Sequence, residues 1–136
     1  MTYLLDTNIC IALINGRSAQ VRAAVKSVLV SGSVLATSSI VIHELWYGVA
    51  KSTQVESNTI VLSAFLARDL TILDYTDADA KTSAEIRAEL ERRGTRIGEY
   101  DTLIAGQALA RGLTLVTANT REFSRVQALQ LEDWTQ

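Results

Sequence analysis

Short apolar runs alternate with stretches of helical spacing along the whole chain, and this alternation restricts the fold more than any other feature. The runs are Tyr3-Leu4-Leu5, Val34-Leu35-Ala36, Leu70-Thr71-Ile72-Leu73 and Leu113-Thr114-Leu115-Val116-Thr117, with a last short run near Leu129 and Leu131. Between them the apolar residues recur at three- and four-residue intervals, as on one face of a helix. Ser18, the Thr37-Ser38-Ser39 run and Thr76 or Asp77 stand where helices would be capped, and Gly16, Gly32, Gly94 and Gly112 where they would end. Strand–helix alternation predicts an α/β fold: a mainly parallel sheet with helices on both faces. A length of 136 residues predicts a single domain spanning 1–136. No proline marks the loops.

Other classes drop out early. No run approaches the roughly 20 apolar residues that span a bilayer, and no basic-then-apolar leader is present, so the expectation is a cytoplasmic protein without a membrane. The single cysteine, Cys10, has no partner for an internal disulfide and reads as a small buried hydrophobe. With one histidine and one cysteine, a zinc site or a Ser-His-Asp mechanism has little to draw on. A net charge of −2 does not announce a nucleic-acid binder, so any such contact needs a local basic patch. Arg92, Arg93 and Arg96 form the densest positive cluster. They suit the C-terminus of a helix electrostatically, and equally suit phosphate contact.

The chemistry is carried by acids at strand ends. Asp6 follows the first run, Asp101 opens a helix, and Asn119 and Glu122 follow the fourth run. Each has a local reading as well: Asp6 or Thr7 can cap the first helix, and Asp101 can cap a later one. In a parallel sheet, however, all strand carboxyl ends point one way, so distant residues meet in one crevice. Glu44 joins them if its helix packs beside that crevice. That helix carries Val41, Ile42, Leu45, Trp46 and Val49 as a wide apolar face, and the helix over Glu56–Ala67 carries Ile60, Val61, Ala64, Phe65 and Leu66. Clustered carboxylates need protons or a cation, and an all-oxygen set selects a hard ion, Mg²⁺ or Mn²⁺. Such an ion serves phosphoryl chemistry with no catalytic histidine or serine.

Four ordered motifs carry a resemblance. Leu4-Leu5-Asp6-Thr7-Asn8, the Ser38–Gly48 stretch containing His43-Glu44-Leu45-Trp46-Tyr47-Gly48, Ile97-Gly98-Glu99-Tyr100-Asp101 with Thr102 to Ala105, and Leu115-Val116-Thr117-Ala118-Asn119-Thr120-Arg121-Glu122-Phe123 together resemble the PIN domain, and closely the VapC toxins of type II toxin–antitoxin systems. The tail Leu129 to Trp134 extends the resemblance over essentially the whole chain. It implies an α/β/α sandwich, a Mg²⁺-dependent endoribonuclease acting on RNA, with tRNA cleavage common in the family, a homodimer, and neutralisation by a VapB-type antitoxin. Asp6 and Asp101 match the two metal-binding aspartates, and Glu44 matches the motif glutamate. Many PIN domains carry aspartate where Asn119 stands, and Glu122 is placed to supply that charge. Thr7 and Thr117 stand where hydroxyls orient ligands or water. Glu99 adds a carboxylate where relatives commonly have proline. A PIN fold that has lost activity and works by binding a partner is the competing expectation, favoured by Asn119. Receiver-type and haloacid-dehalogenase-type folds fit less well: Thr7-Asn8 replace their second acid, and no lysine follows Lys81.

Overall fold

Each apolar run becomes a strand, and each strand is released into a helix by a polar residue. The computed structural model covers residues 1–136. The elements in order are β1 (Thr2–Leu5), α1 (Thr7–Asn15), α2 (Ala19–Val30), β2 (Val34–Ser38), α3 (Ser39–Ala50), α4 (Val55–Leu66), β3 (Thr71–Leu73), α5 (Asp77–Arg92), α6 (Glu99–Ala110), β4 (Thr114–Val116), α7 (Thr120–Phe123) and β5 (Gln130–Glu132). The third strand is shorter than the Leu70–Tyr75 stretch suggested. The five strands form one sheet in the order β3-β2-β1-β4-β5, and every pair is parallel.

Strand order explains the layers. The chain steps from β1 outward to β2 and β3, then returns past β1 to reach β4 and β5. Right-handed crossovers therefore put α1–α4 on one face and α5–α7 on the other. The packing agrees: α1 touches α2, α3 and α4, while α5 and α6 pack chiefly on each other. Direction reverses between β1 and β4, so a crevice opens at the carboxyl ends of those two strands.

The core is continuous through the sheet. Leu4, Leu5, Leu115 and Val116 are fully buried in the central strands, with Ile9, Val21 and Val41 on one side and Leu90, Ile104 and Phe123 on the other. Cys10 is fully buried, as expected, and burial raises its thiol pKa to about 12. Gly106 marks the tightest approach of the two helices. A Cβ there would lie 2.7 Å from the Cα of Ser83 on α5, closer than non-bonded carbons come, so only glycine fits. Two expectations about the helices fail. Trp46 is 36% exposed, and Ile60 and Val61 on α4 are 71% and 48% exposed. Helical spacing gave these helices wide apolar faces, but the sheet and α1 cover only the strip through Val41, Leu45, Leu62 and Phe65.

Candidate active site at the strand switch point

Asp6 extends β1 by one residue, and its amide donates to the carbonyl of Val116 at the end of β4. It is the N-cap of α1: Oδ1 accepts from the amide of Ile9 at 3.0 Å. The cap is therefore Asp6 and not Thr7. The Thr7 hydroxyl instead donates to Oε1 of Glu44 at 2.8 Å and ties α1 to α3. Asp6 is only 6% exposed, and its pKa is raised. Burial is the main cause, opposed by hydrogen bonds from Thr117 and the Ile9 amide and assisted by the negative charge of Glu44. Thr117 is fully buried and also accepts the amide of Asn119 at 2.9 Å. It thereby fixes both the Asp6 carboxylate and the turn leading into α7.

Asp101 lies in the first turn of α6 but does not cap it. The N-cap is Gly98, with no side-chain cap. The glycine has a steric reason, since a Cβ there would sit 3.3 Å from Oδ2 of Asp101 and press on its carboxylate. Gly98 is a supporting residue that the sequence reading passed over, although the glycine immediately before an acidic helix start was visible. The pKa of Asp101 is pushed up to about 6 by burial, then by the charges of Glu122, Glu44 and Asp6. Four carboxylates drawn from α1, α3, α6 and α7 thus feel one another in one crevice. Glu99 is not among the charges acting on Asp101. It lines a cleft between α5 and α6 instead.

On α7, Nδ2 of Asn119 donates to Oε2 of Glu122 at 3.0 Å. Asn119 thus holds the Glu122 carboxylate in place. The arginine cluster lies apart, around the end of α5. Arg92 and Arg93 pair with Glu89 at 2.8 and 3.4 Å, and Arg96 stands 4.0 Å from Glu91. Arg93 also donates to the carbonyl of Arg125, and Arg125 to that of Arg96, which links the cluster to the segment just after α7. The sole histidine, His43, is exposed beside Glu44.

The donor set fits a hard divalent cation: all its atoms are carboxylate oxygens, and burial followed by their mutual repulsion pushes the Asp101 pKa up to about 6. As placed, no three acidic, histidine or cysteine side chains form a closed metal cage. That suits an ion held by one or two carboxylates with water completing its shell.

The same charges set a pH dependence for the metal-free protein. The folded pKa values of Asp6 and Asp101 lie above the ordinary 3.8. The Asp101 contribution to stability is full below that pH and is lost as pH rises from it to about 6, and Asp6 acts in the same direction. Melting temperature without metal is expected to fall between roughly pH 4 and pH 6 and then level off, and added Mg²⁺ or Mn²⁺ to restore it at the upper end only. Thermal denaturation across this range, with and without cation, checks both statements. A flat profile would show that neither burial nor the neighbouring charges raise the pKa of Asp6 and Asp101.

The chain is similar to known proteins over nearly its whole length. The PIN domain model matches residues 3–129. The chain is 43% identical over 135 residues to the tRNA(fMet)-specific endonuclease VapC of Shigella flexneri, covering 99% of both. The chain belongs to the PIN-domain family, among the VapC ribonucleases. Ribonuclease VapC2 of Haemophilus influenzae is 42% identical over 134 residues, covering 98% of both chains. Among solved VapBC structures, VapBC2 of Rickettsia felis bound to a promoter DNA fragment superposes with a TM-score of 0.92 at 41% identity, over 98% of this chain and 99% of that one. DNA-bound VapBC of Salmonella typhimurium gives 0.90 at 41%, over 98% of both. PIN nucleases are in general dependent on divalent metal, and no helix of this VapC-family chain is long and apolar enough to cross a membrane.

Proposed function

We propose that this chain is a toxin endoribonuclease that hydrolyses RNA phosphodiester bonds in the β1/β4 crevice. The coupling of Asp6, Glu44, Asp101 and Glu122 at the strand switch point carries the reading. Asp6 and Asp101 hold a Mg²⁺ or Mn²⁺ ion, and Glu44 and Glu122 complete its surroundings or orient water. When bound, the ion polarises the phosphate and acidifies water. The remaining roles fall to the protein's own groups. Thr117 holds the Asp6 carboxylate, the Thr7 hydroxyl holds Glu44, and the Asn119 amide holds Glu122. Arg96, the loosest of the three arginines in its ion pairing, contacts the RNA backbone, with Arg92 and Arg93 adding positive field.

The relatives named for tRNA(fMet) make that tRNA the first substrate to test. The solved VapBC complexes support a VapB antitoxin as partner. A groove lined by Ile11, Ile14, Leu45, Val49 and Val61 runs between α1, α3 and α4 and has Glu44 in its wall. An antitoxin segment seated there would shut the crevice. The exposed apolar groups Trp46 and Ile60 further support a homodimer. Asn119 in place of an acid favours one other reading, an inactive binding module. Incubation of the purified chain with tRNA(fMet) and total RNA separates the two: cleavage is expected with Mg²⁺ or Mn²⁺ and is abolished by chelator. Intact RNA under all conditions would favour the binding module.

A further inference from the structure

On α3 and on α6 the residue immediately before a site acid is a ring: His43 precedes Glu44, and Tyr100 precedes Asp101. The two rings meet across the helices, with centroids 5.6 Å apart and planes inclined by 52°. Neighbouring positions on a helix point about 100° apart, so the acids enter the crevice while the rings stand at its lip. Tyr100 is 47% exposed and His43 is exposed. The row continues outward on α3. Tyr47, one turn beyond His43, is 59% exposed, and Lys51, a further turn on, places its Nζ 4.9 Å from the centre of the Tyr47 ring. Positions 43, 47 and 51 share one helix face.

This arrangement has no role in building the core, and its chemistry complements the crevice. Four carboxylates repel every phosphate except the one a cation neutralises. Close to the acids, flanking nucleotides therefore gain more from contacts through their bases than through their phosphates. Aromatic faces provide this, since unpaired RNA bases are recognised by stacking on aromatic side chains. We propose that the Tyr100–His43 pair, continued by Tyr47 and Lys51, is a stacking platform for unpaired bases next to the scissile phosphate. Tyr100 supplies the base-contacting face, His43 braces it at a tilt, and Lys51 meets the backbone where the strand leaves. Selectivity would then fall on single-stranded loops, because paired bases cannot reach the rings.

The platform rests on the RNA-cleavage reading, and its test uses binding so that the two fail separately. The full chain carrying Asp6→Asn is mixed with a single-stranded RNA containing 2-aminopurine, whose fluorescence is quenched by stacking. Quenching is expected on binding. Adding Tyr100→Ala is expected to weaken binding roughly tenfold and remove the quench, with little change in salt dependence. Tyr100→Phe, which keeps the ring, is expected to retain both. Unchanged affinity and quenching in Tyr100→Ala would overturn the platform. So would a change in oligomeric state by sedimentation, which would assign the ring to a contact between copies. Cleavage by the unsubstituted chain is measured in parallel. Stacking without any cleavage would remove the enzymatic reading and leave the base contact standing.

Discussion

Replacing Asp6 by Asn is expected to lower RNA cleavage on the order of a thousandfold, about 4 kcal/mol of barrier, while leaving the fold intact. The two effects separate because Asp6 has two jobs. As N-cap it only needs an oxygen to accept the Ile9 amide, and an asparagine side chain supplies one. As a cation ligand it needs its negative charge, which asparagine lacks. The charge is also costly without metal, since burial raises the Asp6 pKa. The metal-free variant should therefore melt no lower than the parent protein. Initial cleavage rates with added cation, paired with thermal melts, check both halves. Full activity in Asp6→Asn would sink the carboxylate–cation scheme, and a collapsed fold would mean that the cap is not transferable.

The second large effect is on stability. Arg111→Met is expected to cost about 3–5 kcal/mol, because it strands a buried charge. Asp79 is 1% exposed and receives both Nε and Nη2 of Arg111, at 3.2 and 2.8 Å. Its carboxylate also closes the capping box of α5 by accepting the Thr76 amide at 2.9 Å. Burial opposes ionisation of Asp79, but the Arg111 guanidinium and the Thr76 hydrogen bonds outweigh it and hold the pKa below the usual range. A lowered folded pKa contributes stability above the ordinary value of 3.8 and loses it as pH falls through the folded value. The parent should thus gain from this pair at neutral pH, and Arg111→Met should lose that gain. Denaturant melts at neutral pH measure the loss, and Asp79→Asn added to Arg111→Met should recover part of it. A loss below about 1 kcal/mol would mean that the pair is no stronger than a surface ion pair.

That pair shows where sequence reading reached and where it stopped. The strand–helix order, the parallel sheet and the convergence of Asp6, Asp101 and Glu122 all follow from local patterns together with the direction of strands in a parallel sheet. Glu44 was legible as a carboxylate on an otherwise apolar face. Asp79 and Arg111 are separated by most of α5 and α6, and nothing in their own neighbourhoods marks them as partners. The same holds for Gln107, fully buried one turn before Arg111, whose amide nitrogen donates to the carbonyls of Leu73 and Asp74 and so fastens the end of β3. Asp101 resembled a cap by position, yet only three-dimensional contact showed that Gly98 caps the helix and clears space for the carboxylate. Periodicity identified apolar faces on α3 and α4, but the extent of coverage depends on neighbouring elements, and Trp46, Ile60 and Val61 were left outside it.

The pairing of β1 with β4 also imposes an order in time. Asp6 is made well before the strand beside it and the helix bearing Glu122, which follow roughly a hundred residues later. At ordinary synthesis rates the gap is on the order of ten seconds. A chain stopped anywhere in that interval has Asp6 at the end of a strand but no opposite wall, and so no crevice. The catalytic crevice of this nuclease fold therefore cannot assemble until β4 and α7 have both emerged. The sheet order thereby acts as a delay, set by topology alone.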